Sequence, residues 1–333
     1  MFALVPKTEL CSELSGTGSN IELGPKGHVT VGPKLESVEE GHVTKHTATM
    51  KVVFDRLVRF ENPEGLVFYG EAPTEDDMIG KRVKVYDGSL PWSLSNTDDS
   101  RTQVIQKILS PIPKVPIIYG IGLNYKTHIA EASLEEPKYP TVFTKAPKAL
   151  NDPFSDILIH PECLCMDYEG ELTVILGRDT KNVKTDEEAL GSILGYTVGN
   201  DVSSRYWQMP ERSNQQHGYA KSFDGFAPIG PVLVSPAVIN PERLTLKTYV
   251  NGDLRQDARV QDLFFKIADI IKFLSRGTTL MAGTAIMTGT PSGVAAFSKP
   301  PRWIKHGDVV EVTISKIGTI RNKYVFIKET GEL

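Results

Sequence analysis

The sequence predicts a mainly β protein with few helices (α+β). Short runs rich in β-branched and aromatic residues recur along it, turn residues close most of those runs, and only one segment shows clear helical periodicity. The first runs are Val52-Val53-Phe54, Leu57-Val58-Arg59-Phe60 and Leu66-Val67-Phe68-Tyr69, the last two separated by Asn62-Pro63-Glu64-Gly65, a strong turn sequence. A small hairpin-based β domain is therefore expected over 49–113. It ends in Ser110-Pro111-Ile112-Pro113, where consecutive X-Pro units keep the chain extended as a linker. The body, 114–329, contains Leu172–Leu176, Ile193–Val198, Val232–Val234, Leu246–Val250 and Val309–Ile314 as strands. Its helix is marked by Leu263, Ile267, Ile270, Ile271 and Leu274 at helical spacing, with Asp262 at the start and Gly277 past the end. No internal repeat or heptad series is present. Residues 1–48 mix Gly, Thr, Ser, Glu and Lys with little periodicity, so a disordered extension is expected there.

Bulk composition removes several functional classes. With 333 residues, 40% of them hydrophobic, the chain can bury a large core. Its net charge of −4 offers no extended basic surface to neutralise phosphates, so no nucleic-acid partner is expected. No apolar run approaches the ~20 residues that cross a bilayer, so no membrane partner is expected either. Three cysteines, Cys11, Cys163 and Cys165, are too few for a disulfide framework and lack zinc-site spacing. The first fifty residues hold six Glu and no Arg, unlike an Arg-rich transit peptide, which points to the cytoplasm with the mitochondrion as the alternative.

The chemistry-bearing residues fall in a few segments, each open to a bland reading. In Asp167-Tyr168-Glu169-Gly170-Glu171, strand geometry puts Glu169 and Glu171 on one face. They are either a solvated edge or two oxygen ligands for a hard cation such as Mg²⁺, Mn²⁺ or Ca²⁺. Asp201 follows a buried strand, so it either caps the next turn or binds a cation. His128 and Glu131 are spaced to meet on a helix, as a surface pair or as a base whose tautomer the carboxylate fixes. Gly120-x-Gly122 lacks the third Gly of a dinucleotide fingerprint, because position 125 is Tyr. Lys221, beside Phe223 and Phe226, is a snorkelling surface Lys or a desolvated cation facing an enolate. The Gly289 and Thr290 turn, within Ile286–Val294, either reverses the chain or cradles an oxyanion.

Taken in order, these segments resemble the fumarylacetoacetate hydrolase family. The resemblance rests on Gly122-Leu123-Asn124-Tyr125 with His128 and Glu131, Phe143-Thr144-Lys145, Asp167-x-Glu169-x-Glu171-Leu172, Asn200-Asp201-Val202-Ser203-x-Arg205, Lys221-Ser222-Phe223-Asp224, Thr288-Gly289-Thr290-Pro291-x-Gly293-Val294 and Gly307-Asp308-x-Val310-Glu311-Val312. It implies a folded-over β-roll with Mg²⁺ or Mn²⁺ held by Glu169, Glu171 and Asp201. It further implies a lid bearing the His128–Glu131 dyad, Lys221 as the catalytic cation, and substrate contacts at Arg205, Gln208, Gly289 and Thr290, in a homodimer. Three stretches depart from the family pattern: Arg205-Tyr206-Trp207-Gln208, Val294-Ala295 where the family has Val-Gly, and an insertion-like Pro210–His217. The expected activity is C–C hydrolysis of a β-dicarbonyl or acylpyruvate-type 2-oxo acid. Oxaloacetate decarboxylation or keto–enol tautomerisation are the alternatives at the same site, and a catalytically silent metal-binding scaffold is the rival of another class.

Overall fold

Three consecutive strands, Gly170–Leu176, Ile193–Asn200 and Ala227–Val234, are buried along their whole length and form the centre of the molecule. Covered on both faces, they read as apolar runs without alternation. The computed structural model describes residues 52–328, apart from 75, 76 and 99; the extension expected over 1–48 lies outside the described residues. Those three strands pair antiparallel within a 13-stranded sheet that also takes in Ala285–Met287, Ile118–Gly122 and Thr141–Lys145. A 5-stranded sheet, ordered Ile157–Ile159, Gly318–Phe326, Val309–Ile314, Thr245–Val250 and Asp253–Arg259, packs against it. Its Val309–Ile314 strand alternates buried and half-buried residues, as expected for a strand with one face inward. Leu172, Val174, Val198 and Val232 of the large sheet share one core with Leu246, Val310, Val312 and Ile320 of the small one. The architecture is the mainly β one expected, with few and short helices among the described residues.

The hairpins before Pro113 extend the same large sheet. Arg56–Glu61 pairs with Val67–Glu71 through the Asn62–Gly65 turn, and on its other side with Ala227–Val234, Leu57 opposite Leu233. The Val52–Phe54 run is not a strand: it has no partner strand, and Phe54 is buried as a plug in a second apolar cluster with Leu57, Leu194 and Leu233. The amphipathic helix is shorter than its periodicity suggests, spanning Ile267–Leu274. Its expected start is taken by tertiary bonds, since Leu263 bridges Tyr125, Phe264 N–H donates to Asn124 O (2.8 Å) and Phe265 N–H donates to Asn124 Oδ1 (2.7 Å). Asp262 instead lies in a short 3-10 turn, Val260–Asp262. No helix among the described residues is long and apolar enough to cross a membrane.

Candidate metal centre and its lid

The site is built where the central hairpin opens. Antiparallel register sets Gly170 opposite Asn200 and Glu171 opposite Gly199, so the residues just beyond the pairing, Glu169 and Asp201, meet. Two bonds lock them: Asp201 N–H donates to Glu169 O (2.9 Å), and Glu169 N–H donates to Asn200 Oδ1 (3.0 Å). Carboxylate oxygens of Glu169, Glu171 and Asp201 all lie within 4.8 Å of one another, and all three residues are buried.

Two buried cations, Lys145 and Lys221, and the half-buried Arg205 partly balance this charge. Lys145 and Lys221 both ion-pair with Asp201; Lys221 also lies 3.1 Å from Glu169 Oε1 and donates to Ser203 Oγ (2.8 Å). Arg205 Nη2 approaches the same Glu169 oxygen at 2.6 Å, while its Nε donates to Asp167 Oδ2 (2.9 Å) and its Nη1 to Gln208 Oε1 (2.7 Å). Burial alone would raise the Glu169 pKa, yet Lys221 and Arg205 hold it well below the usual carboxylate range. Glu171 behaves oppositely: burial, then Asp201 and Glu169, push it well above that range. Glu171 forms no ion pair among the described residues, although Lys221 opposes the shift from a distance, and it accepts Gly289 N–H (2.7 Å). A buried carboxylate beside two others without a directly paired countercharge is costly. A hard divalent cation among these oxygens would supply that charge, so the donor set fits one.

Near enough to the cluster for His128 to act electrostatically on Glu169, the Lys126–Glu131 helix carries the expected dyad. His128 Nδ1 lies 3.1 Å from Glu131 Oε2, and Glu131 Oε1 accepts Gly293 N–H (3.0 Å). His128 is buried, with its ring edge against Phe297 at 5.5 Å between centroids. With Nδ1–H donated to Glu131, Nε2 keeps its lone pair for a proton.

The remaining expected contacts are committed within the protein. Gly289 N–H holds Glu171, and the Thr290 hydroxyl donates to Gly170 O (3.0 Å) and accepts from Gln256 Nε2 (2.8 Å). Gly289 (φ 108°) and Gly293 (φ 102°) need glycine twice over, because a Cβ would stand 2.6 Å from Asn124 Cβ in one case and 1.9 Å from Arg255 O in the other. Two charged members of the site went unassigned in the sequence reading. Lys145 ends the Thr141–Lys145 strand and is fully buried, and Asp167 receives bonds from Arg205 and three backbone amides. Their only sequence signal is their place inside the motifs Phe143-Thr144-Lys145 and Asp167-x-Glu169.

Comparison with known proteins agrees with this fold. Residues 117–325 match the fumarylacetoacetate (FAA) hydrolase C-terminal family. The mitochondrial oxaloacetate tautomerase fahd2 of Xenopus laevis is 38% identical over 232 residues, covering 68% of this chain and 72% of that protein. The oxaloacetate tautomerase YisK of Bacillus subtilis (strain 168) is 39% identical over 241 residues, covering 71% and 76%. Among solved structures, a 2-hydroxyhepta-2,4-diene-1,7-dioate isomerase from Mycobacterium marinum superposes with a TM-score of 0.69 at 32% identity, covering 83% of this chain and 99% of that one. On the sequence match, the fold and the buried carboxylate cluster together, this chain is an enzyme of the fumarylacetoacetate hydrolase family.

Proposed function

We propose that this enzyme interconverts the keto and enol forms of oxaloacetate or a close 2-oxo acid, at the site formed by Glu169, Glu171, Asp201 and the His128–Glu131 dyad. The observation that carries the reading is the dyad held over the carboxylate cluster, in a chain whose relatives at 38–39% identity are named oxaloacetate tautomerases. C–C hydrolysis, the first expectation from sequence, gives way to its tautomerase alternative on those names. The chemistry agrees, since both reactions pass through an enolate but tautomerisation needs only one group that takes and returns a proton.

Glu169, Glu171 and Asp201 would hold a divalent cation, Mg²⁺ or Mn²⁺ before Ca²⁺, which when bound polarises the 2-oxo group of a small acid. His128 Nε2 takes a proton from C3; the C–H electron pair becomes the C2=C3 bond, and the carbonyl π pair moves to the C2 oxygen. The imidazolium then returns the proton to that oxygen, giving the enol with no net change of charge or oxidation state. Glu131 holds the imidazole in the tautomer that leaves Nε2 free, and steadies its charged form. Lys221, buried beside the cluster, favours negative charge developing there. Of the proposed substrate contacts, Gln208 retains its amide NH₂ as a donor, whereas Arg205, Gly289 and Thr290 act by holding Glu169, Glu171 and the Gly170 carbonyl. A homodimer is the assembly we propose. The acidic, Arg-free first fifty residues support the cytoplasm, the named location of the Xenopus relative supports the mitochondrion, and fractionation separates the two.

The test follows loss of the oxaloacetate enol by ultraviolet absorbance with Mg²⁺ or Mn²⁺, beside pyruvate release and an acylpyruvate control. Tautomerisation without pyruvate, abolished by chelator and by Glu169→Ala and cut about 10²–10⁴-fold to a still measurable rate by His128→Ala, is the expected result. Metal-dependent pyruvate release from oxaloacetate would instead identify a decarboxylase. Cleavage of the acylpyruvate would restore the hydrolase, and turnover surviving Glu169→Ala would sink the site.

A further inference from the structure

Asp167 is fully buried at the end of the two-residue ribbon Met166–Asp167, and it stands outside the cluster of three carboxylates. Four donors converge on it. Oδ1 accepts from Ala295 N–H (2.7 Å) and from Tyr168 N–H (2.8 Å), while Oδ2 accepts from Ala296 N–H (3.1 Å) and Arg205 Nε (2.9 Å).

These bonds lead two ways. Towards the cluster, Arg205 carries its other nitrogens to Glu169 at 2.6 Å and to Gln208 at 2.7 Å. Towards the lid, Ala295 and Ala296 open the short turn Ala295–Phe297, whose Phe297 ring meets His128. Gly293, two residues earlier, donates to Glu131 at 3.0 Å, and its carbonyl accepts the hydroxyl of Tyr168 at 2.8 Å. Residues 293–297 thus touch both members of the dyad, and Asp167 bonds to both this segment and Arg205.

We infer that Asp167 is a positioning residue, tying the 293–297 segment to Arg205 so that the His128–Glu131 dyad keeps a fixed place relative to Glu169. The inference rests on the dyad reading proposed above. A carboxylate suits the task because it is acceptor-only, and every group facing it is a donor. An Asn here would keep the volume but turn an NH₂ onto either the Ala295 and Tyr168 amides or Ala296 and Arg205, setting donor against donor.

Two variants test it. Asp167→Asn alters both branches. Ala295→Pro replaces the donor on the lid branch by a ring carbon set against Asp167 Oδ1, so that this branch is broken by loss of the bond and by contact, at the first position of a turn where Pro is tolerated and after Val294, which is already extended (φ −66°, ψ 156°). Amide exchange of Lys126–Glu131, Mn²⁺ affinity by calorimetry, and kcat and KM for the oxaloacetate enol are measured on variants whose circular dichroism matches wild type. Both variants are expected to speed exchange in that helix and to lower kcat about 10–100-fold, while Ala295→Pro leaves Mn²⁺ affinity within about threefold. In a His128→Ala background the kcat loss is expected to vanish, because Asp167 acts through the dyad. Unchanged exchange in both folded variants, or a full loss persisting without His128, would overturn the inference. Should Asp167→Asn not fold, Ala295→Pro decides alone. If wild type leaves oxaloacetate untouched, the functional reading fails while the exchange measurement still judges Asp167.

Discussion

Lys145 shows how much of this site is decided one side chain at a time. Its ammonium group is fully buried, ion-paired with Asp201, and donates to Phe226 O (2.6 Å). Burial pulls its pKa down, against the pull of Asp201. Asp201 is equally buried, so deleting the Lys145 charge leaves a carboxylate short of one partner in a dry setting. Lys145→Met is therefore expected to destabilise the metal-free protein by about 3–5 kcal/mol, read from urea unfolding. Excess Mg²⁺ should recover part of that loss if the cluster holds the ion, because a ligand bound only by the folded state stabilises it. Equal losses with and without Mg²⁺ would speak against a cation at Asp201.

At the scale of elements, the site depends on where strands stop. Glu169 and Asp201 lie just beyond the last pairs of the Gly170–Leu176 and Ile193–Asn200 strands, where their side chains can converge without breaking the ladder. The lid helix Lys126–Glu131 has no side-chain cap at Tyr125 and leans on the Glu131–Gly293 bond instead. By contrast, Asp186–Leu190, another short helix, carries a full capping box: Glu188 N–H donates to Thr185 Oγ1 (3.1 Å), and Thr185 N–H donates to Glu188 Oε2 (3.4 Å). Thr185→Ala is expected to cost about 1 kcal/mol in urea unfolding and to leave kcat unchanged, because the box touches no residue of the site.

Over the whole molecule, two packed sheets bury many tyrosines. Burial pushes Tyr196 up to about 12, and Tyr69 likewise to about 12 although Arg59 opposes the shift. A phenol whose pKa is raised on folding contributes stability that is fully present below its unfolded value near 10. That stability is lost as pH rises through the folded value, so unfolding free energy should fall between about pH 10 and 12, each such group contributing about 2–3 kcal/mol. Urea midpoints across that range, with tyrosinate absorbance, check this. Ionisation of Tyr69 and Tyr196 near pH 10 without unfolding would contradict the packing.

What the sequence settled by itself is local. The Asn62–Gly65 turn, the Val309–Ile314 strand, the pairing of His128 with Glu131 three residues on, and Glu169 and Glu171 facing one way two residues apart all follow from chain geometry over a few residues. The family and the carboxylate triad were legible because several such motifs occur in one order. Tertiary structure decided what those residues meet. It delayed the start of the predicted helix to Ile267 by giving 263–265 to Tyr125 and Asn124, and left Val52–Phe54 outside any strand. It also drew Lys145 into the site from a distant segment, joined Asp167 to Ala295 and Arg205, and committed Gly289 and Thr290 to holding Glu171 and Gly170. The physical reason is that a buried charge or backbone amide must find a partner, and which partner is nearest is set by sheet register and packing across long stretches of chain.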